Sequence, residues 1–211
     1  SEPDQPHPIL SDLKVRQAIA KAIDRQAIAD QLYGPTGSAT CNIAAAPAAI
    51  YSPNTTCERD VEGAKKLLEE AGWTDTNGNG TVDKDGKELV LSFTTTISAL
   101  RQGEQAIIKE NLAEIGIQVD LKAIDAGVFF GGDPGNPDTL NKFYADMQMY
   151  TNSPDSPDPA YYFAGWLCDK ANSKENNWQG GNAGRYCNKD FDAAYAEFAK
   201  IFAANGMDKG L

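Results

Sequence analysis

The sequence is poor in the residues that hold metals or carry out nucleophilic catalysis. His7 is the only histidine, and none of the four cysteines forms a CxxC pair. Zinc sites are built from cysteine and histidine at short spacings, so a zinc site is nearly excluded. A reactive thiol would need a neighbouring base, and no histidine lies near a cysteine. The sequence also has no phosphate-binding loop, nucleophile elbow or dinucleotide fingerprint.

Positive charge is scarce as well. Lys and Arg number 19 against 30 Asp and Glu, which gives a net charge of −11. Because nucleic acids and anionic membrane surfaces are bound by clustered cations, this balance argues against both as partners. No apolar run approaches the roughly 18 residues that span a bilayer. Hydrophobic residues make up 41% of the chain and are spread along it, which indicates a globular chain rather than a disordered one.

The four cysteines form two local groups, Cys41 with Cys57 and Cys168 with Cys187. Each pair brackets a loop rich in Pro, Asn, Gly and Ser. Four cysteines allow three pairings, and proximity favours the two local ones. Each such disulfide would stabilise the fold by about 3 kcal/mol through loop closure. Disulfides place the protein outside the cytoplasm.

The apolar periodicity predicts an α/β fold, preceded by a polar, proline-rich arm over residues 1–10. Predicted helices cover 12–34 as two consecutive segments, 60–71, 99–116 and 190–202, with Asp24 and Asp60 as N-caps. Predicted strands cover 88–96, 117–124 and 143–150. Strand 88–96, the following helix and strand 117–124 form a βαβ unit, which favours a parallel pair. The abrupt ends lead us to expect a piece of a longer protein.

Residues 75–86, DTNGNGTVDKDG, match the calcium-loop pattern D-x-[DN]-x-[DN]-G. Oxygen ligands at alternate positions can wrap a hard cation, and here they would be Asp75, Asn77, Asn79, the Thr81 carbonyl and Asp83. The twelfth position is Gly instead of the bidentate Glu. The alternative is an Asn/Gly-rich turn between a helix and a strand, since Asn-Gly is itself a strong turn signal. We expect no required cofactor, and any calcium would be structural.

The loop ENNWQGGNAGRYCN, residues 175–188, sets Trp178 and Arg185 among amide side chains. A ligand-facing loop would use such a ring for stacking and such a cation for a carboxylate. The alternative is a glycine-rich loop packed by its own aromatics, which is favoured for Arg185. Residues 54–56, Asn-Thr-Thr, match a glycosylation sequon, a pattern short enough to occur by chance.

The stretch TNSPDSPDPAYYFAGW, residues 151–166, holds Asp155 and Asp158 among three prolines just before an aromatic run. Each proline fixes φ and withholds an N–H donor, so the two acids lie on a stiffened turn. A rigidly held carboxylate suits a site that binds a cationic group.

Five stretches occur in an order that resembles the second large lobe of the extracytoplasmic solute-binding proteins of ABC importers, in the peptide, dipeptide and nickel family. They are DLKVRQAIAKAIDRQAIADQLYG, EGAKKLLEEAGW, IIKENLAEIGIQVDL, DSPDP and RYCNKDFDAAYAE. The resemblance covers roughly residues 10–200. It implies that residues 11–211 form a single periplasmic-binding-protein-like lobe, whose mixed sheet is flanked by helices. Full-length members are much longer, and their ligand cleft needs a second lobe.

In the family's peptide binders, the aspartate of a D-Y-x-D-P motif grips the peptide's α-amino group. The frame of residues 155–159 matches this motif, so the resemblance gives Asp155 that role and makes Asp158 a cap for the following helix. Ser156 replaces the family's tyrosine, and Asn152 replaces its tryptophan. The candidate ligand-binding residues are therefore Asp155, Asn152, Tyr150, Trp178 and Arg185.

The resemblance implies a non-enzymatic lobe that captures peptides and passes them to an ABC permease. It also implies a monomer in the periplasm or outside the cell, and it is compatible with a membrane anchor on the full-length parent. An oligosaccharide receptor of the same family is one alternative. The other is a secreted, calcium-supported hydrolase domain, which would gather carboxylates in one deep pocket.

Overall fold

The computed structural model describes residues 5–44, 50–133, 135–153 and 159–205. The α-helices are α1 (Leu13–Ala22), α2 (Arg25–Ile28), α3 (Val61–Glu70), α4 (Ala99–Ala113), α5 (Ala126–Phe129), α6 (Pro159–Ala164) and α7 (Lys189–Asn205). The strands are β1 (Asp83–Lys84), β2 (Lys87–Glu88), β3 (Val90–Thr96), β4 (Gln118–Ile124) and β5 (Met147–Gln148). A π-helical turn, Ala29–Tyr33, extends α2. None of the helices in the described ranges is long and apolar enough to cross a membrane.

Aspartate side chains start the first three helices. The carboxylates of Asp12, Asp24 and Asp60 accept the backbone N–H groups of Lys14, Ala27 and Gly63, each at 2.8 Å. These bonds satisfy donors that the first turn of a helix leaves without an intrahelical partner. The predicted caps Asp24 and Asp60 are thus confirmed.

Strand β3 is the centre of a three-stranded parallel sheet with the order β4-β3-β5. The unit β3-α4-β4 is the predicted βαβ motif, and the α/β fold is confirmed. Strands β1 and β2 form a separate antiparallel hairpin, so the parallel and antiparallel strands lie in two sheets. The hairpin turns at Asp85 and Gly86, both of which have positive φ.

The third predicted strand, 143–150, is much shorter in the structure, where β5 covers Met147–Gln148. The carboxylate of Asp146 accepts the backbone N–H of Ser92 at 2.7 Å. A side chain therefore takes the donor that a longer ladder between β3 and β5 would use.

Helix α4 packs on strands β3 and β4 of the parallel sheet, and α1 packs against α3 and α4. Val15 of α1, Leu68 of α3 and Leu112 of α4 form one buried cluster with Leu91 and Phe93 of β3. Since successive strand residues point to opposite faces, Ser92 and Thr94 lie on the other face. The two faces therefore differ in chemistry, with one apolar and one polar.

A polar cluster fixes the first turn of α4 to the π-helical turn. Arg101 pairs with Glu104 at 2.6 Å and donates to the Tyr33 hydroxyl oxygen at 2.8 Å. The Tyr33 hydroxyl in turn donates to Glu104. Burial, followed by this bond to the carboxylate, raises the pKa of Tyr33. The cluster holds the α4 end that adjoins the end of β3.

Candidate functional site

The carboxyl ends of the three parallel strands meet at one edge of the sheet. The chain leaves β3 at Ile97, whose N–H bonds to the carbonyl of Ile124 at the end of β4 at 2.9 Å. Beyond β5, the carbonyl of Met149 accepts a hydrogen bond from the Thr95 hydroxyl at 2.7 Å. In α/β folds, the crevice outside the carboxyl ends of parallel strands is where ligands bind. This edge is therefore the candidate ligand site of the chain.

Aromatic side chains collect at this edge. The rings of Phe129 and Phe130 lie 5.0 Å apart, and the Tyr150 ring lies 6.4 and 6.2 Å from them. Phe129 is fully buried, whereas Phe130 is 53% exposed and Tyr150 is 37% exposed. Ile97, at the end of β3, is 66% exposed. Burial, and then the nearby Tyr162, raises the pKa of Tyr150. The edge thus presents apolar and aromatic surface to solvent.

A cavity of about 300 Å³ lies between the segment after β5, helix α6 and the second disulfide loop. Asn152 and Ser153 bring amide and hydroxyl groups to its wall, and Lys170 brings an ammonium group. Its lining residues are Asn152, Ser153, Tyr161, Tyr162, Ala164, Gly165, Lys170, Gly180 and Gly181. The cavity can hold one small side chain or sugar ring with polar groups around it.

Both predicted disulfides are formed, Cys41 with Cys57 and Cys168 with Cys187. The second closes the loop that carries Gly180 and Gly181. Two buried amides hold this loop from within: Asn172 accepts the N–H of Gly181 at 2.9 Å, and Asn182 donates to the carbonyl of Tyr186 at 2.8 Å.

Trp178 and Arg185 take part in the packing of this loop. Trp178 is only 7% exposed, and the Arg185 guanidinium lies 5.2 Å from its ring centre. Arg185 donates to the backbone carbonyls of Lys142 at 2.6 Å and Asn172 at 3.2 Å. Neither residue is among those that line the Asn152 cavity in the described part of the chain. This is the packing arrangement that the sequence favoured for Arg185.

Among the sequence-predicted ligand residues, Tyr150 and Asn152 lie at the strand edge and its cavity. Asp155 and Asp158 lie outside the described residues, and their roles stay predictions. Three parts of this site were not predicted from the sequence: Ile97, Phe130 and the residues of α6 that line the cavity. The position of Ile97 and Phe130 in the sequence could have indicated them, because both follow soon after strands that the sequence predicts.

The calcium-like loop is organised by its own hydrogen bonds. Asp75 accepts the N–H groups of Gly78 and Gly80 at 2.7 and 2.9 Å, and the Gly80 bond is the main cause that lowers the pKa of Asp75. Asn77 and Asn79 accept the N–H groups of residues 79 and 81 at 3.0 and 2.9 Å.

Asp83, the last acid of that loop, is buried and accepts both the N–H and the hydroxyl of Thr76, the former at 2.9 Å. Within the described residues, no three His, Cys, Asp or Glu side chains are grouped to hold a metal ion. Calcium at Asp75, Asn77, Asn79, Thr81 and Asp83 stays a proposal.

Comparison with known proteins identifies similar sequences. A sequence model described as "Bacterial extracellular solute-binding proteins, family 5 Middle" matches residues 2–174. The oligopeptide-binding protein AppA from Bacillus subtilis is 34% identical over 125 residues, which are 56% of this chain and 22% of AppA. A periplasmic alpha-galactoside-binding protein from Rhizobium meliloti is 32% identical over 124 residues, 54% of this chain and 18% of that protein.

Solved structures of solute-binding proteins are similar to this chain as well. NikZ from Campylobacter jejuni in complex with Ni(L-His) has a TM-score of 0.75 at 25% identity, over 91% of this chain and 36% of NikZ. AppA in complex with a nonapeptide has a TM-score of 0.70 at 27% identity, with the same two coverages. The chain thus spans well under half the length of each of these proteins.

Proposed function

Because the chain belongs to the family 5 bacterial extracellular solute-binding proteins, we propose that it is the part of such a protein that closes over a peptide and delivers it to an ABC permease. Members of this family are substrate-binding proteins of transport systems rather than enzymes. The peptide, the permease and the periplasmic or extracellular location of the full-length protein are parts of the proposal.

One observation carries the proposal: three parallel strands end together beside exposed aromatic surface and a polar cavity. The apolar part of the edge, with Ile97 and Phe130, offers contact area for aliphatic or aromatic side chains. The cavity beside it offers the Asn152 amide and the Lys170 ammonium for hydrogen bonds to a peptide backbone or carboxylate. A half-cleft of this kind gains affinity when a second lobe covers it, since closure then removes water from both surfaces.

Peptides are favoured over sugars as the ligand. AppA and its nonapeptide complex support this choice among the relatives. The alpha-galactoside-binding relative supports an oligosaccharide as the second candidate, and tyrosines and amides around the cavity suit a sugar ring. The relatives named above are binding proteins, so they give no support to a hydrolase.

The test is to produce the full-length, two-lobed protein that contains this chain and to identify what it binds. Native mass spectrometry of the purified protein should show a co-purified peptide, and calorimetry with the synthetic peptide should give one site per molecule. Binding of an oligosaccharide but of no peptide would select the second candidate. Turnover of the bound solute would contradict the non-enzymatic role.

A further inference from the structure

A second cavity of about 340 Å³ lies on the polar face of the parallel sheet. Its floor includes Thr94 of β3, Lys122 of β4 and Gln148 of β5, which are neighbours in the strand register. The segment around Asp138 forms the facing wall. Among the described residues, this cavity and the cavity beside Asn152 share no lining residue.

Two residues that line this cavity each carry a buried polar atom without a hydrogen-bond partner among the described residues: the Thr94 hydroxyl and the Gln148 carbonyl oxygen Oε1. Thr94 is 7% exposed. Buried polar groups in folded proteins are nearly always paired, because an unpaired one has lost its water without compensation. The Gln148 oxygen can only accept a hydrogen bond, so the missing partner must be a donor.

The charges around the cavity are unbalanced. Lys122 and Asp138 form an ion pair at 2.6 Å and neutralise each other. Asp120, which lines the same cavity, has no ion-pair partner among the described residues. Asp120 is exposed, and it adds a negative charge to the lining of a site that already needs a donor.

We propose that this cavity binds a small primary amine that also carries a hydroxyl group. The ammonium group balances Asp120 and provides three N–H donors. The hydroxyl group lies at the other end of the cavity, where it donates to Gln148 Oε1 and accepts from the Thr94 hydroxyl.

Other ligand classes fit less well. A neutral polyol would satisfy Thr94 and Gln148 but would leave Asp120 without a counter-charge. An anion would be repelled by Asp120, and Lys122 would attract it little because its charge is balanced by Asp138. An apolar molecule would leave both unpaired polar atoms without partners.

Ethanolamine is the probe, titrated into the 211-residue chain and followed by calorimetry and by amide chemical shifts. So small a ligand should bind with a dissociation constant on the order of 1 mM. Thr94→Val keeps the shape of the side chain and removes the hydroxyl, and Asp120→Asn removes the charge at an exposed position. Each should weaken binding at least tenfold. The matched control is Asp85→Asn, an exposed aspartate in the β1-β2 turn, which should bind as the wild type does.

Glycerol and ammonium chloride, each at the same concentration and ionic strength, serve as comparison solutes and should bind more weakly than ethanolamine. Shift changes should centre on residues 92–94, 120–122 and 148. No saturable binding would show that the cavity holds solvent only and would overturn the proposal. Equal binding to the wild type and to Asp120→Asn would also overturn it, and this exposed variant keeps the test decisive if Thr94→Val does not fold.

Discussion

His7 Nε2 donates a hydrogen bond to Asp146 Oδ1 across 2.7 Å and so joins the N-terminal segment to the residue before β5. Nδ1 of His7 accepts the backbone N–H groups of Ile9 and Leu10 at 3.1 and 2.8 Å. Since Nδ1 is an acceptor, the ring proton is on Nε2. The other oxygen of Asp146 accepts the N–H and the hydroxyl of Ser92, both at 2.7 Å. One carboxylate thus connects three separate parts of the chain.

Asp146 should contribute stability that is lost in acid. Burial opposes its ionisation, but the hydrogen bonds from Ser92 and His7 outweigh burial and hold its pKa below the ordinary value. A carboxyl with a depressed folded-state pKa stabilises the fold above its unfolded-state pKa, and the contribution is lost as the pH falls through the lower folded-state value. We expect Asp146→Asn to lower the free energy of unfolding at pH 7 by about 1–3 kcal/mol.

Urea unfolding at pH 7 and pH 3 measures this effect, with Asp85→Asn as the control. The difference between the wild type and Asp146→Asn should shrink at the lower pH. An equal difference at both pH values would show that the loss comes from packing and not from the charge.

Removing the second disulfide should destabilise the chain and loosen the Asn152 cavity. Cys168→Ser with Cys187→Ser should lower the free energy of unfolding by about 3 kcal/mol, because the unfolded chain is no longer constrained by a closed loop. Amide exchange should speed up at Gly180 and Gly181. Peptide mapping by mass spectrometry without reductant checks the pairing first, and a peptide that links Cys41 to Cys187 would contradict it.

The depth of burial should decide how much each leucine of the parallel sheet contributes to stability. Leu91 is fully buried in the main core, whereas Leu121 of β4 is 40% exposed. Leu91→Ala should cost about 2–5 kcal/mol by leaving a cavity, and Leu121→Ala should cost about 1 kcal/mol or less. Chemical unfolding of the two variants gives the comparison. Equal losses would mean that Leu121 is covered in solution.

The calcium hypothesis predicts a shift in melting temperature. If the loop from Asp75 to Asp83 binds the ion, calcium should raise the melting temperature of the wild type in proportion to its excess over the dissociation constant, and a chelator should reverse this. Asp75→Ala should abolish the response and also lower stability, since it removes an acceptor for the loop's N–H groups. A wild type that melts identically with calcium and with chelator shows that the loop is only a turn.

The elements with the clearest periodicity were predictable from sequence. Leu89, Leu91 and Phe93 alternate with their neighbours up to the middle of β3. Asp60 precedes an amphipathic helix, so pattern and cap agree. The third strand was predicted too long because the sequence around it does not show that the Asp146 carboxylate, and not a backbone carbonyl of β5, accepts the N–H of Ser92. That contact joins residues 54 positions apart.

The candidate site was less predictable. Tyr150 and Asn152 were found through the family resemblance, while Phe130 was missed because aromatic residues are more often buried than exposed. For Trp178 and Arg185, the sequence is compatible both with ligand binding and with packing of the loop. The burial of the Trp178 ring and the bond from Arg185 to a backbone carbonyl indicate packing. The unpaired Thr94 hydroxyl becomes visible only when the register places it beside Gln148.

The central claim is that the full-length protein grips the α-ammonium group of a peptide through Asp155, and calorimetry with matched peptides tests it most directly. A charge-assisted hydrogen bond of roughly 1.5–3 kcal/mol predicts that Asp155→Asn weakens binding of a free peptide about tenfold to a hundredfold. Asp158→Asn is the matched control and should bind the peptide nearly as the wild type does. An N-acetylated peptide should bind the wild type poorly and respond little to Asp155→Asn. If Asp155→Asn binds the free and the acetylated peptide as the wild type does, the amine-anchor role is wrong and an oligosaccharide becomes the better ligand.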